Sequence, residues 1–363
     1  MTINKNVSQV LIFPGETLVD LLFEKGMTQA ELADRMGRPL KTINEIIKGK
    51  SSITPDTAIQ LEGVFSVPAS FWLNLESNYQ LSLARFNFEE NLRAEFKISE
   101  KYPYKEMVKL GWIPRNNETK DIVQSLLNFF GVISLKNIIE KNIFAVGAQY
   151  RISAKRGYST EAITSWLRKG VLESQKIETK DFDEKKLKDS LPDIRSLILS
   201  SPQDFIPKIA KILADCGVVL VVLKNLKNAP INGVTRWISP KKALIQMSIR
   251  GKYADIFWFS LFHEIGHLLL HRKKDIYVDF VEDDYNKEQE TQADEFASNI
   301  LIPKDKFESF LNSFRVYKNV DLLNVFAQKI GVSVGIVVGR LQNDGIISRN
   351  QLNSLRAKYK RAS

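Results

Sequence analysis

Residues 262–271 read Phe-His-Glu-Ile-Gly-His-Leu-Leu-Leu-His and hold all three histidines of this 363-residue chain, His263, His267 and His271. From His263 the run is H-E-x-x-H. A helix turns once in about 3.6 residues, so His263 and His267 share a face, one turn apart. One zinc ion can take both imidazoles there, and Glu264 stands beside them as a candidate general base. The apolar residues Phe257, Trp258 and Leu261 extend the predicted helix over 253–270. Gly266 inside it costs up to about 1 kcal/mol in helix propensity. A position without a side chain lets another backbone, or a substrate, pass close to the metal.

A hydrolytic zinc site needs a third protein ligand and one open position. Glu290 is the best candidate, in Glu290-Thr291-Gln292-Ala293-Asp294. The E-x-x-x-D spacing puts Glu290 and Asp294 on one helical face, so Glu290 can ligate while Asp294 accepts the second ring N–H of a ligand histidine. His271 lies a further turn along and reads as structural or substrate-facing. Upstream, from about Pro202, a helix at Pro207–Cys216 and strands at Val218–Leu223 and Ala243–Ile249 give an α/β pattern.

The N-terminal quarter has a different character. Leu18, Leu21 and Leu22 recur at helical spacing, and Gly26 follows. Thr28-Gln29-Ala30-Glu31 has the form of a capping box opening a helix through Met36. A third helix runs from Lys41 to Lys48 and stops at Gly49. Thr54-Pro55 opens a fourth and Pro68 a fifth. Two short helices framed by three others match a helix-turn-helix reader, with Lys41–Lys48 as the recognition helix. Lys41, Thr42, Asn44, Glu45 and Lys48 are its candidate DNA-contacting residues, with Gln29 placed for a phosphate. Residues 1–85 carry eight basic and nine acidic side chains, which disfavours tight sequence-independent binding by a monomer and points to a homodimer on paired half-sites of an operator.

Net charge is +10, and five of the basic residues with no acidic one fall in 346–363, read as a solvated tail. Cys216 is the lone cysteine, and no apolar run approaches the roughly 18 residues of a membrane span, so a cytoplasmic protein without membrane contact is expected. Residues 83–200 carry helical spacing at Ile122–Phe130, Leu135–Ile139 and Thr160–Leu172, and no chemical motif. The expected fold class is multidomain and mainly α. A five-helix DNA-binding head spans 10–82, a helical connector 83–200, an α+β metallopeptidase domain 201–345 and a basic tail 346–363.

Two resemblances sharpen this. Thr28-Gln29-x-x-Leu32-Ala33 and Thr42-Ile43-x-x-Ile46-x-x-Gly49-Lys50, flanked by Pro14-Gly15-Glu16 and Phe71-Trp72-Leu73-Asn74-Leu75, resemble the Xre-type, lambda-repressor-like domain in its HigA/VapI antitoxin branch. His263–His271, Glu290-x-x-Ala293-Asp294-x-Phe296-Ala297 and Leu301-Ile302-Pro303 resemble the ImmA/IrrE metallopeptidases, as do the later Gly331-Val332-Ser333 and Arg340-Leu341. That resemblance implies a zincin-like fold, a gluzincin ligand set of His263, His267 and Glu290, and limited proteolysis of a repressor. Two functions follow as expectations. One is a DNA-binding regulator with a zinc endopeptidase that cuts a repressor-type protein. The other is an antitoxin-like repressor whose C-terminal domain binds a toxin or signal without cutting it.

Overall fold

The computed structural model describes residues 13–140, 149–152, 158–248, 253–271, 284–317 and 319–358. Residues 10–12 of the expected head and 359–363 of the expected tail lie outside them. The chain divides into two units, Met1–Ala94 and Glu95–Ser363.

The first unit is a five-helix bundle: α1 Pro14–Glu24, α2 Gln29–Met36, α3 Leu40–Ile47, α4 Pro55–Phe65 and α5 Ala69–Ala94. Its caps follow the sequence. Thr28 accepts from the Glu31 amide at 3.2 Å, and Thr54 accepts from the Thr57 amide at 3.3 Å with Pro55 in the first turn. Leu18, Leu32, Ile43, Ala58, Leu61 and Trp72 form its buried centre. The fifth helix runs unbroken through the expected boundary at 82, because no glycine or proline interrupts 69–94.

The second unit begins with α6 Phe96–Ser99, α7 Tyr104–Lys109, α8 Thr119–Phe130 and α9 Lys136–Glu140. Strand β1, Gln149–Ile152, and α10, Thr160–Ser174, follow. Then come α11 Glu184–Asp189, α12 Leu191–Ser196, α13 Pro202–Asp215, β2 Val218–Leu223, β3 Ile231–Ser239 and β4 Lys242–Ser248. The unit closes with α14 Ala254–Leu270, α15 Asp284–Leu301, α16 Lys304–Tyr317, α17 Val320–Ile330 and α18 Val334–Asn343.

The sheet order is β1-β3-β4-β2, with β2 and β4 parallel and the β1–β3 and β3–β4 pairs antiparallel. Both faces are covered, so β2 and β4 are apolar on both. Val218, Leu220, Ile245 and Met247 join the main core with Phe205, Trp258, Leu261 and Phe262. Val219, Val221 and Leu244 face the other way, toward Val171 of α10. Gln246, fully buried among them, donates its side-chain amide to the Trp166 carbonyl at 2.7 Å.

Two expectations are corrected here. There is no boundary at 200/201: β1 and α10 come from the expected connector yet complete the sheet and cover its second face. A sheet with two apolar faces needs that cover. The described part of the tail is not a solvated arm either. Arg356 pairs with the buried Asp255 at 2.6 Å, and the Ala254 amide donates to the Ala357 carbonyl at 2.9 Å. A carboxylate buried at the start of α14 requires a cation, and the tail supplies it.

Arg195 of α12 ties the C-terminal helices together. Its guanidinium donates to the carbonyls of Ile300, Leu301 and Ile330 at 2.8, 3.0 and 2.8 Å, at the ends of α15 and α17. Arg195→Met leaves three helix-end carbonyls without their donor. We expect a loss of about 3 kcal/mol and a fall of ~6–12 °C in the calorimetric midpoint of the C-terminal unit. A midpoint within about 2 °C of wild type would show that the clamp is idle.

Candidate metal centre

Helix α14 is buried almost throughout, and its histidines emerge on the side where α15 crosses it. Gly266 makes the crossing possible: a Cβ there would lie 3.1 Å from the Phe296 ring and 3.4 Å from the Ala293 backbone. The gap expected from this glycine is thus filled by a neighbouring helix. Ala293 and Ala297, both fully buried, keep the facing side small. The close crossing sets Glu290 against the histidine pair. Its carboxylate oxygens lie 3.2 Å from His267 Nε2 and 3.4 Å from His263 Nε2, and the two nitrogens are 3.0 Å apart. Ligands about 2.0–2.1 Å from a tetrahedral zinc are roughly 3.3 Å from one another. The three side chains therefore fit one such ion, and among the described residues they form a potential metal-holding group.

The remaining ring nitrogens fix the tautomers. His263 Nδ1 is 2.8 Å from Asp294 Oδ1, so it carries the hydrogen and leaves Nε2 as the ligand atom. His267 Nδ1 is 2.9 Å from His271 Nδ1, and His271 Nε2 is 3.3 Å from Gln292 Oε1. With His267 Nε2 turned to the ion, His267 donates to His271, and His271 donates onward to Gln292. In that arrangement His271 accepts from His267 and stands behind a candidate ligand.

Glu264 is buried and held from the sheet. Thr235 Oγ1 lies 2.7 Å from its Oε2, and a Cβ on Gly233 would stand 2.7 Å from its Oε1. Strand β3 thus passes directly over the carboxylate. A cleft of about 430 Å³ opens beside it, with Gly233, Phe259, His263, Glu264, Ile302 and Arg340 in its lining. The sequence reading missed β3, Gly233 and Thr235. The alternation of Val234, Arg236 and Ile238 with Gly233, Thr235 and Trp237 offers no clean apolar face, although the β-branched residues were a usable signal.

Two family models match this chain. One, described as an IrrE N-terminal-like domain, covers residues 254–342, and the other, a helix-turn-helix, covers residues 21–72. Virulence-associated protein A of Dichelobacter nodosus is 35% identical over 71 residues, 19% of this chain and 70% of that protein. Virulence-associated protein I of the same organism is 36% identical over 74 residues, 20% of this chain and 68% of that protein. Among solved structures, an addiction module antidote protein of the HigA family from Coxiella burnetii is 34% identical. That match covers 23% of this chain and 92% of the other, with a TM-score of 0.22. Over its N-terminal part the chain belongs with these virulence-associated helix-turn-helix proteins, and it carries an IrrE-like domain near its C-terminus. It is a DNA-binding regulator that carries a metallopeptidase-type domain.

The electrostatics of the IrrE-type domain suit a cation. Burial opposes charge on His263, yet the Asp294 and Glu290 carboxylates raise its pKa to about 9. Burial also opposes charge on Glu290, but hydrogen bonds from His263 and His267 hold it well below the usual carboxylate range. Burial raises Glu264, partly offset by His263, His267 and Thr235. Without metal the cluster takes up a proton, which an incoming ion must displace.

In the helix-turn-helix unit, Gln29 opens α2, and α3 carries Lys41, Thr42, Asn44 and Glu45, with Lys48 as its C-terminal cap. Lys41 and Lys48 are exposed; Gln29, Thr42, Asn44 and Glu45 are half-buried. Glu45 forms a surface pair with Lys41 at 3.8 Å, a contact too weak to withhold either from a ligand. Leu40, 43% exposed at the start of α3, was overlooked and suits a thymine methyl. Among the described residues, no single helix is long and apolar enough to cross a membrane.

Asp294→Ala and His271→Ala each remove one orienting partner. We expect each to weaken zinc binding about 10–100-fold by chelator competition, while Thr235→Val leaves it unchanged. Unchanged affinity in His271→Ala would refute the tautomer chain.

Proposed function

We propose that this chain is a transcriptional regulator whose C-terminal domain is a zinc-dependent endopeptidase acting on a repressor-type protein. The observation that carries the reading is the joint placement of His263, His267 and Glu290 with Glu264 buried beside them under β3. Zinc held by those three side chains would supply a Lewis acid and lower the pKa of a bound water toward about 7. Thr235 engages Glu264 Oε2, which leaves Oε1 to take the water proton and later hand it to the leaving amine. Burial raises the proton affinity of that carboxyl, which suits both halves of the transfer. The cleft beside Gly233 and Phe259 receives the peptide.

Glu264→Gln keeps the shape and the metal ligands while removing the base. We expect full zinc occupancy and at least a ~100-fold loss in cleavage of a co-expressed repressor substrate, followed by immunoblot. Regulation of the target promoter should change with it. Identical regulation by wild type and Glu264→Gln, with no fragment in cells, would favour the second reading, in which the domain binds a toxin or signal without cutting it.

The head would bind an operator as a homodimer through α3. Asn44 has the amide geometry for bidentate pairing with adenine, whereas Lys48 suits a phosphate. In gel shifts with the gene's own upstream region, Asn44→Ala should cost ~1–3 kcal/mol and relax preference at one base pair. Lys48→Ala should instead weaken all sequences alike and reduce the salt slope by about one. Equal loss on operator and random DNA for Asn44→Ala would remove it from base readout.

A further inference from the structure

β3 is the strand that meets Glu264, and its Gly233 also lines the cleft beside that carboxylate. Its inner edge is paired with β4. Residues i and i+2 of a strand share a face. Gly233 and Thr235 both meet Glu264, so that face of β3 is turned toward it. A peptide to be cut there must lie extended, because only an extended backbone can run through the cleft with its amides paired and a carbonyl beside the base. The natural way to hold it is addition to the outer edge of β3, one strand spacing away at about 4.8 Å. Alternate side chains of such a peptide would enter the cleft beside Gly233.

That position is taken. Strand β1 pairs with β3 antiparallel, with Gln149 opposite Thr235, Tyr150 opposite Val234 and Ile152 opposite Ile231. Two steps along β1 answer three along β3, so β3 carries an extra residue at Asn232–Gly233, facing Arg151. Bulges of this kind gather next to active sites, where they re-aim the backbone. Here the bulge falls at the residue that touches Glu264. The occupying strand is only four residues long and ends the sheet, with one irregularity in its short ladder. Its ladder has three paired positions against six for β3–β4.

We infer that β1 occupies, in the free chain, the sheet edge along which a peptide substrate must lie, so that the protein is its own competitive inhibitor. This rests on the peptidase reading for its consequence, though not for its test. A substrate segment that pairs with β3 along this edge must displace Gln149–Ile152. An extended segment offered by a tightly docked partner would do so, and a free peptide would do so poorly.

The test measures peptide binding, without turnover, on zinc-loaded full-length protein carrying Glu264→Gln. The probe is a fluorescent synthetic decapeptide copying residues 146–155. Arg151→Pro, added to that background, removes an amide from β1 and opens the edge. Fluorescence anisotropy should show at least ~10-fold tighter binding to the opened protein than to the intact one. Tyr150→Cys with Val234→Cys closes the edge. Directly opposed antiparallel residues lie about 4.5–5.5 Å apart at Cα, within disulfide reach. Cys216 is buried, and the oxidised protein should lose peptide binding and regain it on reduction. If Arg151→Pro fails to fold, the locked pair decides alone. Equal peptide affinity in the intact, opened and locked proteins overturns the inference and leaves the peptidase reading untouched. Tighter binding to the opened form, in a protein whose wild type never cleaves, would keep the occluded edge and remove the hydrolysis.

Discussion

The close crossing of α14 and α15 at Gly266 is the contact on which the site depends. The histidine pair belongs to one helix and Glu290 to another, 23 residues beyond His267 in sequence. A Cβ at 266 would press on the Phe296 ring at 3.1 Å and already touch the Ala293 backbone at 3.4 Å, so the crossing has no room for a larger side chain. The weak helix propensity of glycine is therefore offset by the close helix approach it permits. The same crossing brings Asp294 to His263 and Gln292 to His271, so one packing contact sets both the ligands and their tautomers.

Charge explains why such a cluster persists in a buried place. Two imidazoles and a carboxylate meet at about 3 Å, next to a second carboxylate that is more deeply buried. Left without a cation, the group draws a proton onto His263 despite the cost of burying charge there. It is an arrangement short of positive charge, and a divalent ion meets that shortage more fully than one proton does. Glu264 adds its charge to that shortage, while the Thr235 hydroxyl fixes one of its carboxylate oxygens.

Much of the centre was legible because its signals are local. H-E-x-x-H and E-x-x-x-D each lie within one or two helical turns, so periodicity alone aligns their side chains. The capped helices of the head were legible for the same reason, with Thr28 and Thr54 doing what threonine does at a helix start. Illegible were the features made by distant pairing. Thr235 reaches Glu264 across 29 residues, and Arg356 reaches Asp255 across 101. β1 sits in a stretch whose composition looked like any connector, and only its pairing with β3 gives it meaning. Spacing in sequence carries no information about contacts of that range.

The tail shows how a sound local argument can fail. Five cations and no acid in 18 residues normally stay in water. Asp255, near the start of the active-site helix, is buried against Gly339 of α18, and burial raises its pKa in spite of the Arg356 guanidinium. Arg356 donates to both its oxygens, lies over the Tyr253 ring at 4.0 Å and reaches Gln342 and Asn353. An arginine satisfied on so many sides is a packed residue that happens to carry charge. It anchors the first turn of α14, two turns ahead of His263, to the last described turn of the chain. The position of the histidine pair is thus set from both ends of its helix, by Arg356 at one and by the Gly266 crossing at the other.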